Sequence, residues 1–329
     1  MTVYLGKKPV GATKIVKKEV AKTKFGASVD TFLGDVDENG AYVKPTGEVV
    51  LDLSGVKSVC DYAFYYKFAY ENHIVSVLAD TVAFVGKNGF RNMCIQCTSV
   101  KTASFESLEV VDQQRAFDNS FSYSAIESAR FTKLKKISGE GAFYYAFINT
   151  KITQYDKVFP ALEEVSGSSV LDSCISVKKD NARAYALSSV KKITGSTSQY
   201  SATLGGFYFS GSKWHFPRAT EFTGYIWQVG SSYTGEIHFA AANQAAIEAC
   251  DRYANKWGFV SATIYFDLML SIVVNGVVYS RKHTMDGYTS WEDSNGNIVY
   301  TSDVAEPDIG TAVYSDQGTT QVGTVSEVA

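Results

Sequence analysis

One short apolar pattern recurs along most of the chain, and this repetition constrains the fold more than any other feature. The pattern is Φ-x-x-Φ-x-x-Φ, where Φ is apolar. Its middle anchors are residues 56, 82, 108, 134, 162, 190 and 219, at spacings of 26, 26, 26, 28, 28 and 29 residues. A unit of this length cannot bury its apolar face alone, so neighbouring units must stack and share one core. The sequence therefore predicts a solenoid of about seven coils.

A column of phenylalanines accompanies the first four copies of the pattern. Its members lie eight or nine residues beyond the middle anchor and each follows Ala or Gly: Phe64, Phe90, Phe117 and Phe143. We expect these rings to fill the interior, while the small residue lets each turn approach the backbone of its neighbour. One copy of the pattern, Leu78-Val82-Val85, is out of step by one residue.

The flanking segments differ in character from the repeats. Residues 239–259 are rich in Ala with apolar residues at near-helical spacing, which predicts a capping helix. Asn275-Gly276 and Asn295-Gly296 each separate two apolar runs, as in type I′ hairpins, and "AVYSDQGTTQVGTV" predicts a third hairpin. The predicted architecture is mainly β with some α: a β-rich segment at 1–48, the solenoid with its cap at 49–259, and a small all-β module at 260–329.

Composition and charge argue against several classes of function. The net charge is −3, and "KIVKKEVAKTK" is the one short basic stretch, so we expect no nucleic-acid partner. No apolar run reaches about 18 residues, which argues against an ordinary transmembrane helix. The first 25 residues lack the apolar region of a secretory signal, so we expect synthesis in a cytosol without export.

Two patterns raise the question of a metal site. Cys94-x-x-Cys97 has no second cysteine pair, so we interpret these thiols as small buried apolar groups. Asp35, Asp37 and Asn39 copy the first half of a calcium-binding EF-hand loop, although its last position is Thr46 instead of Glu. A hairpin turn with Asn39-Gly40 at its tip is the favoured interpretation, and we predict no cofactor.

The sequence carries none of the common catalytic motifs, and we predict that the protein is not an enzyme. His215 lies beside Trp214 and Arg218, which would suit a ligand patch, but a position on the rim of the last coils is favoured. The adjacent carboxylates Glu163 and Glu164 fall on outward positions of the repeat, where solvated charge explains them.

Tyrosine is abundant, with 21 residues, and much of it lies where the repeat does not require an apolar side chain. Tyrosine and tryptophan among small polar residues are typical of recognition surfaces. The predicted ligand-binding residues are Tyr65, Tyr66, Tyr144, Tyr145, Tyr225, Trp227 and Tyr233. Phe121 and Tyr123 are further candidates for the same edge. Packing between coils is the alternative, equally favoured for the two Tyr-Tyr pairs.

The repeats resemble a known family. "VFPALEEVSGSSVLDSC" and "LKKISGEGAF" are similar to the BspA-type leucine-rich repeat of bacterial and protist surface proteins. Phe159-Pro160 and Phe216-Pro217 match the family's Pro position, Cys174 matches its Cys, and the resemblance covers residues 50–240. It implies a leucine-rich-repeat solenoid that serves recognition, and it does not identify a ligand.

The two flanks resemble segments of tailed-bacteriophage structural proteins. The similarity lies in "SVDTFLGDVDENG" near the start and in the Tyr-Thr-x-Trp and Ile-Val-Tyr-Thr cadence of the last module. It implies a virion tail or fibre protein whose segment 1–48 attaches to the particle and whose solenoid binds a host cell-surface glycan or protein. Other virion proteins and a homo-oligomer are the implied partners. The alternatives are a bacterial leucine-rich-repeat surface adhesin, against which the missing export signal counts, and a polysaccharide-degrading tail enzyme.

Overall fold

A computed structural model of the chain describes residues 3–5, 48–175, 184–206, 212–228, 234–251, 261–285, 288–302, 307–316 and 320–328. The described chain is mainly β, with stacked parallel strands that form a solenoid of about seven turns and a small closed β-barrel after it. We call each turn of the solenoid a rung and number the rungs from the one that contains Val56.

One ladder of short parallel strands runs through all seven rungs and carries the third anchor of each repeat. Its strands form two sheets, β3 (Ser58–Val59) with β5 (Phe84–Val85), and β7 (Val110–Val111), β9 (Lys136–Ile137), β10 (Glu164–Ser166), β12 (Lys192–Thr194) and β15 (Glu221–Thr223). The register pairs Val165 with both Ile137 and Ile193, so equivalent anchors lie over one another. The 26- to 29-residue spacing is therefore the length of one rung.

A second ladder of parallel strands is formed by the residues just before the first anchor of each repeat. It consists of two separate sheets. Its first sheet contains β1 (Val3–Leu5), β2 (Val49–Asp52), β4 (Ile74–Leu78), β6 (Thr102–Ser104) and β8 (Ser128–Arg130). Its second sheet contains β11 (Ala184–Ala186), β14 (Ser212–Phe216), β17 (Thr234–Ala240) and β18 (Ser261–Leu268). Between them the chain forms the single helical turn α1 (Tyr155–Val158). β18 continues this ladder past residue 259, where the sequence predicted the solenoid to end.

The interior of the solenoid is one continuous apolar core. Phe64, Phe90, Phe117 and Phe143 are fully buried, which confirms the predicted column, and adjacent rings stack, with centroids 4.8 Å apart for Phe117 and Phe143. The anchors Leu108, Leu134 and Leu162 lie in the same core, as predicted. In the out-of-step copy Leu53 N donates to Leu78 O, which aligns Leu53 with the next residue, Ala79. Ala79 therefore occupies the first anchor position of that rung. Leu78 itself is half-buried, so a small residue replaces the large one at that anchor.

After the third anchor, rungs 1 to 4 enter an unusual segment that is neither helix nor strand. Its N–H groups alternate between two acceptors: Phe64 N donates to Gly89 O of the next rung at 2.7 Å, while Tyr65 N donates to Tyr62 O of its own rung at 3.2 Å. The result is a run of consecutive β-turns that also stack as a ladder. Every fourth residue has a positive φ angle and every fourth side chain points inward. We call these stretches the turn segments.

The C-terminal module is a closed antiparallel barrel. Its strands are β19 (Ser271–Val274), β20 (Val277–Met285), β21 (Tyr288–Glu292), β22 (Ile298–Ser302), β23 (Ala312–Tyr314) and β24 (Gln321–Val328). Positive φ angles at Asn275 and Gly276 form the predicted turn between β19 and β20. The hairpins β21–β22 and β23–β24 are also confirmed, and pairing of β24 with β19 closes the barrel.

Few helical residues occur in the described chain. α2 (Gln244–Glu248) follows a 3₁₀ turn at Ala241–Asn243 and precedes β18, so this short helix lies between two strands of the ladder. The helix predicted for 239–259 is therefore wrong in part: residues 239–240 belong to β17 and the helix ends at Glu248, while 252–260 lie outside the described residues. A second 3₁₀ turn, Gln199–Ser201, and the strand pair β13 (Gly205–Gly206) with β16 (Trp227–Gln228) belong to the last rungs.

Candidate functional site: a tyrosine face on the turn segments

The turn segments bring the predicted tyrosine pairs into register. Tyr66 N donates to Arg91 O, Asn92 N to Asp118 O and Asn119 N to Tyr144 O, so residues 65–66, 91–92, 118–119 and 144–145 lie over one another in rungs 1 to 4. Two adjacent columns therefore carry Tyr-Tyr, Arg-Asn, Asp-Asn and Tyr-Tyr. Neighbouring strands lie about 4.8 Å apart, which separates the two tyrosine pairs by about 14 Å along the solenoid. We call these eight residues the tyrosine face.

The tyrosines at both ends of this face reach solvent. Tyr65 is 39% exposed and Tyr66 49%, while Tyr144 and Tyr145 are half-buried. Within each pair the rings meet edge to face, with centroids 4.8 Å apart in the first pair and 4.2 Å apart in the second. Each ring therefore packs against its partner, and both pairs present aromatic surface to solvent.

Between the tyrosine pairs lies an ion pair that is largely shielded from solvent. Arg91 Nε lies 2.9 Å from Asp118 Oδ2, and the Arg91 guanidinium lies over the Tyr65 ring at 5.5 Å from its centroid. Asn119 Nδ2 also donates to Asp118 Oδ1 at 2.6 Å. Burial raises the pKa of Asp118, and the Asn119 hydrogen bond and the nearby positive charges of Arg91 and Arg115 oppose that rise. The centre of the face is thus polar and fixed by its own contacts.

The outer column of the face has a backbone conformation that tyrosine rarely adopts. Tyr66 has φ 56° and Tyr145 has φ 53°, and between them Asn92 and Asn119 have φ 54° and 53°. Asparagine tolerates this left-handed region, whereas a bulky side chain there stores strain. The two tyrosines therefore stand where the fold itself favours asparagine.

Two more of the predicted ligand-binding residues, Tyr225 and Trp227, lie in the last rung. The expectation that Trp227 is exposed is wrong: it is 1% exposed and its ring packs 5.7 Å from that of Phe222, because the last rungs fill their interior with larger aromatics. Tyr225 is half-buried and bridges to Ser196 through backbone hydrogen bonds. Tyr233 lies outside the described residues.

Two further expectations about aromatic residues have different outcomes. Tyr123 is 54% exposed, on the turn segment of rung 3. Phe121 is fully buried and stacks on Phe147, so it belongs to a second interior column that the sequence analysis did not identify. The sequence did not lead us to predict Arg91 and Asp118 as part of this face. The signal was present, since each directly follows a column phenylalanine, at the position that tyrosine occupies in rungs 1 and 4.

The residues around His215 do not form a surface patch. Trp214 and Phe216 point into the core, so His215 between them faces outward, yet it is only 4% exposed. Strand β20 of the barrel packs against the neighbouring strand β11, and Arg218 Nη2 donates to Arg281 O of β20 at 3.3 Å. His215 is therefore at a covered junction.

The carboxylates and thiols that were considered for catalysis or metal binding form ion pairs between rungs or lie buried in the core. Lys136 Nζ lies 2.8 Å from Glu164 Oε2 and Lys191 Nζ lies 3.0 Å from Glu163 Oε2, both in partly exposed pairs between rungs. Cys94 and Cys97 are buried, and the hydrogen bond to Cys97 and burial raise the pKa of the Cys94 thiol.

No group of three or more His, Cys, Asp or Glu side chains suited to a metal ion occurs among the residues that the structure describes. Residues 35–39 lie outside them, so the turn predicted there stays a prediction. The same described ranges contain no helix long and apolar enough to cross a membrane.

Comparison with known proteins adds no relative: no protein-family model, no curated protein and no solved structure matches the chain.

Proposed function

We propose that this protein is a non-enzymatic recognition protein, a leucine-rich-repeat solenoid of the BspA type that binds its ligand through the tyrosine face. One observation carries the proposal. Two solvent-accessible tyrosine pairs occupy the same two columns at rungs 1 and 4, with a fixed polar centre between them.

Backbone strain supports a functional reason for these tyrosines. A bulky residue in the left-handed region costs on the order of 1 kcal/mol or more, and such residues cluster at binding sites. Asparagine fills the same column in rungs 2 and 3 with the same φ angle, so the backbone conformation does not require tyrosine at positions 66 and 145. Tyrosine offers a large contact area with few rotatable bonds and a hydroxyl for hydrogen bonding.

The ligand we propose is a glycan or protein of a host cell surface, and the protein is a tail or fibre component of a tailed bacteriophage. The resemblances of segment 1–48 and of the last module support this placement. In that setting other virion proteins hold the N-terminal segment, and copies of the chain assemble with one another. The direct test of the placement is mass spectrometry of purified particles, where absence of the chain would contradict it.

The test of the recognition role replaces a strained tyrosine by the residue that its column favours. Tyr66→Asn and Tyr145→Asn should each weaken binding to host cells about 30-fold, as expected for a hot spot worth about 2 kcal/mol. Because the left-handed strain is relieved, thermal stability should stay equal or rise. Tyr200→Ala is the control, since Tyr200 is 77% exposed and lies outside the face. Unchanged binding in both Asn variants, or an equal loss in the control, would contradict the proposal.

A further inference from the structure

A further exposed column crosses the turn segments, four residues beyond the outer column of the tyrosine face. Tyr70 N donates to Ile95 O at 2.9 Å and Gln96 N donates to Ser122 O at 2.8 Å, and the same kind of bond recurs from Tyr123. In this register the residue after each acceptor lies over the donor residue. The column therefore takes one residue from each of rungs 1 to 4: Tyr70, Gln96, Tyr123 and Asn149. We call these four residues the tyrosine–amide column.

All four residues of the tyrosine–amide column are exposed. Tyr70 is 59% exposed and Tyr123 is 54% exposed. The φ angles of the four residues are positive, between 55° and 66°. Within the described residues neither of these two rings packs against another aromatic ring, in contrast to the pairs of the tyrosine face. Packing of aromatic rings against one another therefore does not explain the tyrosines of this column.

The chemistry of the column alternates from rung to rung. Aromatic side chains occupy rungs 1 and 3, and side-chain amides occupy rungs 2 and 4. The preceding residues alternate as well: Ala69 and Ser122 come before the tyrosines, whereas the half-buried Ile95 and Ile148 come before the amides. The surface therefore repeats every two rungs. At about 4.8 Å per rung, equivalent groups lie about 9.6 Å apart.

This period fits an extended polysaccharide and does not fit a polypeptide strand. In a β-1,4-linked chain of pyranose rings each ring is turned over relative to the one before it, so every second ring presents the same face. The length of one such ring is close to the spacing of one rung. A tyrosine on every second rung therefore meets the same face of every second ring, and the amides between them meet ring hydroxyls. A β-strand repeats every two residues, or about 6.8 Å, which does not match about 9.6 Å.

Backbone pairing and charge favour the same kind of ligand. The N–H groups of Tyr70, Gln96 and Tyr123 point along the solenoid and donate to the next rung, so the outward surface binds through side chains and not by addition of a strand. The four column residues and the residues that precede them are all uncharged. This surface is therefore complementary to a neutral ligand that carries hydroxyl groups.

We propose that the tyrosine–amide column binds a neutral, extended β-1,4-linked glycan that lies along the solenoid with one sugar ring per rung. Tyr70 and Tyr123 stack on alternate rings, and the amides of Gln96 and Asn149 hydrogen-bond to hydroxyls of the other two rings. The inference rests on the proposed function for its setting, since it names a class of cell-surface glycan. Its site is a separate column beside the tyrosine face.

The experiment is isothermal titration calorimetry of the full chain with cellohexaose, chitohexaose and maltohexaose. The first two are extended β-1,4-linked chains, without and with N-acetyl groups, whereas the α-1,4 linkages of maltohexaose curve the chain. At least one β-1,4-linked sugar should bind at least about tenfold more tightly than maltohexaose, and the tighter of the two identifies a plain or an N-acetylated glycan as the source. Its Kd should fall from the disaccharide to the tetrasaccharide and level off at the hexasaccharide, because the column spans four rungs. No binding, or equal binding of the three hexasaccharides, would overturn the proposal.

Four variants locate the binding. Tyr70→Asn and Tyr123→Asn introduce the residue that the column already contains at Asn149, and each should raise the Kd of the tighter sugar about tenfold, as expected when one aromatic contact of an interface is lost. Gln96→Ala should raise the Kd about fivefold, the effect of a lost hydrogen bond. Tyr62→Asn is the matched control, since Tyr62 is 52% exposed with φ 59° on the same turn segment as Tyr70 but lies outside the column. An unchanged Kd in both column tyrosine variants, or an equal rise in the control, would refute the site.

The same measurements separate this inference from the proposed function. If no oligosaccharide binds while Tyr66→Asn still weakens binding to host cells, the glycan inference fails and the recognition role of the tyrosine face stands. If the column variants lose glycan binding while Tyr66→Asn and Tyr145→Asn leave cell binding unchanged, the column is supported and the role of the tyrosine face fails. Thermal melting of each variant establishes that the folded chain is measured.

Discussion

Acidification should destabilise the solenoid through His215. The ring lies stacked on that of His238, with centroids 5.0 Å apart, and neither ring nitrogen has a hydrogen-bond partner among the described residues. Burial, together with the positive charges of His238, Arg281 and Lys213, lowers the pKa of His215 from 6.5 to about 3. Glu236 and Asp267 each lie 2.9 Å from a ring nitrogen of His238, and no ion pair of His215 occurs among the described residues.

The sign and size of the effect follow from proton linkage. The unfolded chain binds a proton at His215 near pH 6.5 and the folded chain near pH 3, so the neutral imidazole contributes its full stability above pH 6.5. That contribution is lost as the pH falls from about 6.5 towards 3. One pKa unit corresponds to about 1.4 kcal/mol, so the whole window amounts to about 5 kcal/mol and the interval from pH 7 to pH 5 to about 2 kcal/mol.

The assay is urea unfolding at pH 7 and pH 5 at constant ionic strength. Tryptophan fluorescence is a suitable probe, because Trp214 and Trp227 lie in the same part of the core. Wild type should lose about 2 kcal/mol more between the two pH values than His215→Leu, whose side chain does not titrate. An equal loss in wild type and His215→Leu would refute the reasoning.

Three further outcomes are expected. Leu134→Ala should lower the free energy of unfolding by about 2–5 kcal/mol, because Leu134 is fully buried; a loss below about 0.5 kcal/mol in urea unfolding would contradict its place in the core. Gly139→Ala should cost about 1–3 kcal/mol in the same assay, since a Cβ there would overlap the Gln113 carbonyl oxygen of the preceding rung. Chelator should leave the melting temperature unchanged if residues 35–39 form a turn, and a calcium-dependent rise would show a metal site.

The repeat made the solenoid predictable because equivalent positions meet equivalent surroundings in every rung. Leu108 and Leu134 recur at 26 residues and occupy the same core, so periodicity alone located them. Hairpins in the barrel were predictable for a local reason: Asn275-Gly276 accepts positive φ angles that few other dipeptides accept.

The turn segments could not be predicted because their apolar period of four resembles that of a helix, which they do not form. Phe64 and Phe68 both point inward, four residues apart, and only the first was recognised as an interior position. A four-residue apolar spacing in sequence is normally attributed to a helix. Here consecutive turns produce it, and the hydrogen bonds that permit this run to the next rung, about 26 residues away.

The solenoid breaks its own pattern at α1 for a packing reason that single repeats do not reveal. Tyr155 is buried beside Tyr185 and Trp214, and Ser188 N and Oγ donate to the two carboxylate oxygens of Asp156 at 2.9 and 2.6 Å. These contacts hold a helical turn in the place of a strand. No motif in the sequence marks this exchange.

The outer column of the tyrosine face keeps one backbone conformation from rung to rung. The column contains Tyr66, Asn92, Asn119, Tyr145 and Ser173, all with positive φ. Asn is the residue that left-handed backbone favours among those with a side chain. If the tyrosines served packing between rungs, they would be expected on the inward positions of the segment, where Phe64 and its equivalents lie. Within this column Tyr66 is exposed, Tyr145 is half-buried and Asn92 is buried, so the proposed recognition role would use the two ends of the column, where it reaches solvent.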